Sequence, residues 1–471
     1  MSVEKWSMYE AAFAGPAEGN PFVDVELSAE FSQGSTPIKV PGFYDGEGRY
    51  KVRFMPSEEG DWKYTTRSNV AALDGQTGSF ICTAPKEGNH GPVRVQHQFH
   101  FGYEDDTPYF PFGTTCYAWI HQGDELEEQT LETLESAGFN KLRMCVFPKD
   151  YIFNKNEPVY YPFERDGDAW DFNRYEISFF QHLEQRVAQL GALGIEADII
   201  LFHPYDRWGY AKMPHEQDYA YLRYVVARLA AYRNVWWSMA NEYDFMLKDK
   251  PMEVWDRFFE IVQENDPYEH LRSIHNGNVN MNYDHTKPGV THVCVQNWDV
   301  KKMRQWREAY AKPVIDDECE YEGNISAREL VHRYWICIAY GGYAGHGETY
   351  EHPEDILWWS KGGVLHGESW PRLKFLRGIV EEGPAEGQDP FPGGFPWDRT
   401  YGGGRGNYRL IYFGEHQPRH FGNGLPEQGR YAVDLIDTWE MTVQTLGTFA
   451  GQEPIELPGK PGLAMRIRPV E

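Results

Sequence analysis

EISFFQHLEQRVAQLGALGIEADIILFHP, residues 176–204, sets out the repeating unit of this chain. Its first part has the spacing of an amphipathic helix, and IEADIILFHP (195–204) is a short, almost continuously apolar strand. The same alternation extends in both directions. Upstream, FPFGTTCYAWI (110–120) is followed by the helical LEEQTLETLESAGF, then by the strand NKLRMCVFP (140–148). Downstream come YAYLRYVVARLAAYRN and VWWSMANEYD (235–244), VWDRFFEIVQEND and RSIHNGN (272–278), and THVCVQNWD (291–299). VKKMRQWREAYA and KPVIDDECEYEGN (312–324) follow, then ARELVHRYWICIAYG and GYAGHGETY (342–350). Eight strands, most followed by a helix, over about 280 residues fit an α/β fold of the (β/α)8 TIM-barrel type. No Gly-rich nucleotide loop follows the first strand, which argues against an open doubly wound sheet.

The flanks have a different texture. In residues 1–92, VDVELSAEF alternates apolar and polar positions, and KVPGFYDGEGRYKVRFMP reads as strand, Asp-Gly turn, strand. This predicts an N-terminal immunoglobulin-like β-sandwich, with the barrel over 93–385. EEGPAEGQDPFPGGFPWDRTYGGGRG is crowded with Gly and Pro and reads as a loop; YRLIYFG, RYAVDLIDTWEMTVQTLG and GLAMRIRPV then predict a C-terminal β-sandwich over 386–471.

The chain has 471 residues, with 71 acidic against 45 basic side chains and a formal charge of −26, which disfavours nucleic acid and anionic membranes as partners. No segment is long and apolar enough to span a bilayer, and the N-terminus lacks an apolar signal core. Six scattered cysteines, without a CxxC pair, read as free thiols in a cytoplasmic protein. The acidic surface is compatible with a homo-oligomer.

Reactive groups of such barrels gather where the strands end. Glu242 ends the fourth strand and Glu318 the seventh, each after an apolar run, and they face one another across the mouth. Two opposed carboxylates are what glycosidic cleavage needs, one to protonate the leaving oxygen and one to attack the anomeric carbon or activate water. Alternation within DDECEYE puts Asp316, Glu318, Glu320 and Glu322 on one face and Asp317 on the other, so parity does not select Glu318 from its same-face neighbours, and Glu320 in particular stays open as the nucleophile. Other polar strand ends are Arg143, His203, Asn241, His275, Asn297 and His346; Trp298, Trp119 and Trp208 are candidate sugar-stacking rings.

WSMANEYD (237–244) resembles the strand-four Asn-Glu signature of the retaining glycoside hydrolases of clan A, and KPVIDDECEYE (312–322) resembles the Pro…Asp-x-Glu-x-x-Tyr-Glu segment of the apiosidase-like barrel proteins. FYDGEGRYKVRFMPSEEGDWKY is similar to the β-sandwich that precedes such barrels. The resemblance implies Glu242 as general acid/base, Glu318 as nucleophile, Asn241 at the sugar 2-hydroxyl and Arg143 at the nucleophile. It implies a retaining enzyme, with carboxyls about 5–5.5 Å apart. The cytoplasmic setting points to release of a terminal sugar from a short oligosaccharide or glycoside, and no metal or other cofactor is expected. Two departures stand out: GYAGHGETY lacks the customary platform Trp, and VQNWD offers no Tyr for the nucleophile.

Other readings are a catalytically silent carbohydrate-binding barrel and a metal-dependent hydrolase using His203, His275 and His346. HGETYEHPED also clusters His346, Glu348, His352 and Glu354, but without metal-ligand spacing it reads as solvated. Cys319, flanked by acids, is a poor nucleophile.

Overall fold

The computed structural model describes residues 1–34, 36–351, 357–392 and 400–470. At its centre an eight-stranded parallel sheet curls into a barrel. Its strands are β1 (Gly113–Thr115), β2 (Lys141–Cys145), β3 (Glu196–Phe202), β4 (Val235–Ala240), β5 (Arg272–Ser273), β6 (Val293–Val295), β7 (Val314–Asp316) and β8 (Tyr343–His346). Neighbours follow chain order, and β1 pairs with β8, the connectivity of a (β/α)8 barrel. β2, β3 and β4 are buried at every position, which explains their unbroken apolar runs.

Seven of the joints are strand ladders. The eighth, between β5 and β6, has no strand ladder among the described residues and is held by one backbone bond and two side chains. At its base the Thr291 amide donates to the Arg272 carbonyl (2.9 Å) and Thr291 Oγ1 accepts from the Arg272 amide (2.7 Å). At its top the Asn276 amide side chain exchanges two 3.2 Å bonds with the Gln296 backbone.

The outer helices are α1 (Asp124–Ala137), α2 (Ile177–Ala192), α3 (His215–Leu229), α4 (Met252–Asn265), α5 (Met303–Tyr310), α6 (Ala327–Ala339) and α7 (Ser369–Glu381). α1 begins with three acids in its first turn and ends at Gly138, whose φ of +81° a side chain would strain. No helix bridges β5 and β6 among the described residues; residues 276–292 cross directly as a loop. No described helix is long and apolar enough to cross a membrane.

A hairpin sheet (Val93–Gln96, His100–Tyr103, Pro108–Tyr109) closes the barrel floor. Its Phe101 ring lies 5.3–5.7 Å from Trp236, His292 and Tyr343, at the starts of three barrel strands.

The N-terminal seven-stranded sheet folds over itself as a sandwich, so that Tyr9 stacks on Phe80 (4.1 Å) and Phe31 on Phe54 (4.2 Å). It is locked to α2 and α3 by buried charges. Arg228 meets Asp45 (2.8 Å) and Glu184 (2.5 Å), Arg53 meets Glu184 (2.7 Å), and Lys51 also reaches Asp45 (2.9 Å). The C-terminal region is a six-stranded antiparallel sheet with a two-stranded ribbon, His420–Gly422 and Pro454–Glu456. One face of the sheet holds its own apolar core, and the other meets α6, where Tyr412 stacks on Trp335 and bonds His332.

Candidate active site

At the strand C-termini lies a cavity of about 640 Å3, lined among the described residues by barrel residues between Tyr117 and Trp359. A hollow of about 710 Å3 on the N-terminal sheet lies away from the strand ends, between Glu26 and Asn265.

Glu242 and Glu318 both line the mouth cavity. Glu242 sits where β4 breaks into a 3-10 turn, its φ of +57° a left-handed conformation costly for a non-glycine residue. Among the described residues its Oε2 is buried without a hydrogen-bond partner, as is Oδ1 of the adjacent Asn241, so this wall presents two buried acceptors to the cavity. Burial pushes the facing Tyr205 hydroxyl well up, and the Glu242 carboxylate adds to that push.

Glu318 has a different setting. β7 ends at Asp316 and the chain turns, with Glu320 at φ +75°. The expected alternation therefore ends at Asp316, two residues before Glu318. Asp317 points into the barrel interior to Lys141 (2.9 Å), whereas Glu320 reaches outward to Arg333 (3.6 Å) and Glu322 caps the start of α7 through the Glu368 and Ser369 amides. Glu318 Oε1 accepts from the Tyr117 hydroxyl and lies 3.5 Å from Arg143 Nη1 and 3.9 Å from His275 Nε2. Tyr117 also accepts from Arg143 (3.2 Å). Burial pushes the Glu318 carboxyl up to about 8; the Arg143 and Tyr117 contacts favour the ionised form and oppose that push.

Arg143 is fully buried beneath Glu318, in a layer of charge inside the barrel. Lys141 bonds Asp198 (2.7 Å) and Asp317, and Arg143 approaches the same two acids at 3.7 and 3.9 Å. Two cations against two acids leave the layer balanced. His275, burial-shifted well below the ordinary histidine range and further lowered by Arg143, is a neutral neighbour of Glu318.

Several sequence candidates lie elsewhere. Trp119 is not a sugar platform: it is wholly buried, its indole N–H on the Met144 sulfur (3.2 Å). Trp208 stands outside the cavity lining, stacked on Tyr210 and bonded to Glu157. His203 is buried against the Phe147 carbonyl (3.0 Å), and its neighbour Tyr205 enters the cavity instead. The Asn297 side chain is consumed by backbone bonds to the Val279 carbonyl and the Asp299 amide, and its own amide donates to the Asp316 carboxylate, whereas the adjacent Trp298 stands at the rim, 58% exposed. His346 lies within the barrel, bonded to Thr114 (2.9 Å) and stacked on Phe139, and burial lowers it to about 3.

His203, His275 and His346 do not converge. Among the described residues, the groupings with ligand atoms close enough for one ion are Asp124–Glu127–His182 and Glu322–His346–Glu348. His352 and Glu354 lie outside the described residues.

Two apparent departures resolve in three dimensions. A tryptophan ring in the cavity is supplied by Trp359, in the short helix Trp358–Lys361 that follows β8 well downstream, and it lines the cavity among Tyr151, Phe153 and Tyr321. The tyrosine on Glu318 comes from the end of β1, as Tyr117. Tyr117 follows the FGTT strand at a position where the sequence could have flagged it; nothing local marks Trp359.

The model of the apiosidase-like catalytic domain matches residues 96–372. The chain belongs to that family. Two domains of unknown function, DUF5060 and DUF5605, match residues 2–69 and 397–468 of this apiosidase-like protein. A provisionally assigned glycoside hydrolase from Bacteroides vulgatus ATCC 8482 is 39% identical over 100% of both chains, with a TM-score of 0.93. A glycoside hydrolase family 5 structure from the same organism covers 80% of this chain and 92% of its own at 16% identity and a TM-score of 0.63, a likeness of fold. No curated protein matches the chain. The apiosidase-like chain is thereby a glycoside hydrolase by kinship, with carbohydrate as its class of substrate.

Proposed function

We propose that this protein is a retaining glycosidase that releases a terminal sugar from a short oligosaccharide or glycoside by double displacement, with Glu318 as nucleophile and Glu242 as acid/base. The observation that carries the assignment is the contrast between the two carboxyls in one cavity. Arg143 and Tyr117 favour an ionised Glu318, and Glu242 offers an unpartnered oxygen beside Tyr205. Glu318 attacks the anomeric carbon while Glu242 gives its proton to the leaving oxygen. The glycosyl ester removes the Glu318 charge, and Glu242, now ionised, draws a proton from the water that hydrolyses the ester. Asn241 Oδ1 is placed to accept from a sugar hydroxyl. Six buried free thiols support a cytoplasmic setting, where the substrates are short.

The upward push of burial on Glu318 favours a second reading with the two roles exchanged. Hydrolysis of a panel of aryl pentosides, hexosides and furanosides by wild type, Glu318→Gln, Glu318→Ala and Glu242→Ala tests both. Activity lost in Glu318→Gln, with azide converting Glu318→Ala to an inverted glycosyl azide and Glu242→Ala to a retained one, is the expected result. The opposite azide products reverse the roles. Full activity in Glu318→Gln refutes the assignment, and binding without hydrolysis by wild type favours the silent carbohydrate-binding barrel.

A further inference from the structure

Lys149 lies four residues beyond the end of β2 and lines the same cavity as the two carboxyls, yet the mechanism gives it no task. It is almost wholly buried. Its ammonium is held by ring faces: Nζ lies 3.6 Å from the centroid of Tyr117, 4.5 Å from Tyr205 and 4.9 Å from Tyr151. Among the described residues no carboxylate comes within 4 Å of it and no side chain or carbonyl accepts its protons. The other lysine of the lining, Lys155, has Asp150 at 3.4 Å.

Aromatic faces stabilise a cation but satisfy none of its N–H donors, and a buried charge without a hydrogen-bonded counter-charge is costly. Burial is the dominant influence on Lys149; Cys145 and then Glu242, which lies beyond contact distance, oppose it, and Arg143 adds to it. Burial accordingly lowers the lysine to about 8, leaving it charged at neutral pH. Three free donors on a charged, cavity-facing group need an oxygen acceptor from outside the chain, and a carboxylate supplies both the acceptors and the missing charge. Resting on the glycosidase reading, we propose that Lys149 is a specificity-determining residue that binds the carboxylate of an acidic sugar, so that the substrates are uronides. The chain's charge of −26 is no obstacle, because surface charges are screened over about 8–10 Å whereas the buried contact is not.

The test is calorimetric binding of methyl glucuronide and methyl galacturonide, each against its neutral methyl glucoside or galactoside, to wild type, Lys149→Met and Lys149→Gln. Removing an unpaired buried charge preserves folding, which thermal melting checks. The expected result is uronide binding on the order of 10- to 100-fold tighter than the neutral partner, with that preference lost in both variants. Neutral sugars binding as tightly as uronides to wild type, or neither uronide binding at millimolar concentration, overturns the proposal without recourse to the variants. A preference that survives in both variants also overturns it. The aryl-glycoside panel separates the two readings. Hydrolysis of a neutral glycoside that needs Glu318 but not Lys149 removes the acidic-sugar site and keeps the enzyme. A Lys149-dependent uronide preference without any Glu318-dependent hydrolysis keeps the site and removes the chemistry.

Discussion

Arg228→Met tests how the N-terminal sandwich is held to the barrel. Arg228 is fully buried in α3 and spends its guanidinium on Glu184 (2.5 Å), Asp45 (2.8 Å) and the Tyr224 hydroxyl (2.9 Å). Breaking a buried pair by deleting one partner costs about 3–5 kcal/mol. Here neither acid is left alone, because Asp45 keeps Lys51 (2.9 Å) and Glu184 keeps Arg53 (2.7 Å). Methionine also fills the space of the arginine stem. The expected loss is therefore near the lower limit, about 3 kcal/mol. Urea unfolding followed by tryptophan fluorescence and by circular dichroism measures it, with both probes needed because a chain of several domains can unfold in steps. Acid supplies a second check. Burial would raise the Asp45 carboxyl, but Arg228 and Lys51 outweigh it and hold the group below the usual carboxylate range. A depressed folded pKa contributes stability above the unfolded value of about 4 and loses it as pH falls through the folded one. The gap between wild type and variant must therefore narrow below about pH 4. A loss under about 1 kcal/mol at pH 7, or a gap unchanged on acidification, would refute the reasoning.

Three further outcomes follow from the site and its base. Tyr117→Phe deletes the hydroxyl between Arg143 and Glu318 and is expected to lower kcat/KM about 10- to 100-fold with little change in Tm; an unchanged rate would remove Tyr117 from the mechanism. Trp298→Ala, at the exposed rim, should raise KM several-fold and leave kcat and stability alone, as steady-state kinetics and melting would show. Glu196, buried with its carboxylate on the Trp236 indole (3.0 Å), is pushed by burial up to about 8. A folded pKa above the unfolded one makes wild-type stability fall as pH rises from about 4.5 toward 8, so Glu196→Gln should flatten that slope and be the more stable protein at pH 8 but not at pH 5. Parallel pH–stability curves would count against it.

The barrel was legible because its strands are buried on every side and its helices on one, and those two periods are written in the residues themselves. Glu242 and Glu318 were legible for a related reason: a charged residue directly after an apolar strand marks the strand's end. What alternation could not supply was the path of the chain once the strand stopped. Glu320 and Glu322 share a parity with Glu318, but a turn at positive φ sends one to Arg333 and the other to the N-terminus of α7. Of the three tryptophan candidates, Trp298 reaches the cavity rim, but Trp119 and Trp208 do not. Trp119 and Trp359 look alike in sequence, and only packing puts one under the sheet and the other in the cavity. Lys149 was invisible because its neighbours in space, Tyr117, Tyr151 and Tyr205, arrive from three separate loops.

The joint between β5 and β6 has a mechanical consequence. A ring of seven ladders and one pair of clasps yields first at the clasps, since a ladder must lose several bonds together and Thr291 or Asn276 can let go alone. The upper clasp grips Gln296, which lines the cavity, and Asn276 follows directly on His275, the neighbour of Glu318. Loosening of that clasp would therefore be felt first at the Gln296 edge of the cavity, next to the neighbour of Glu318.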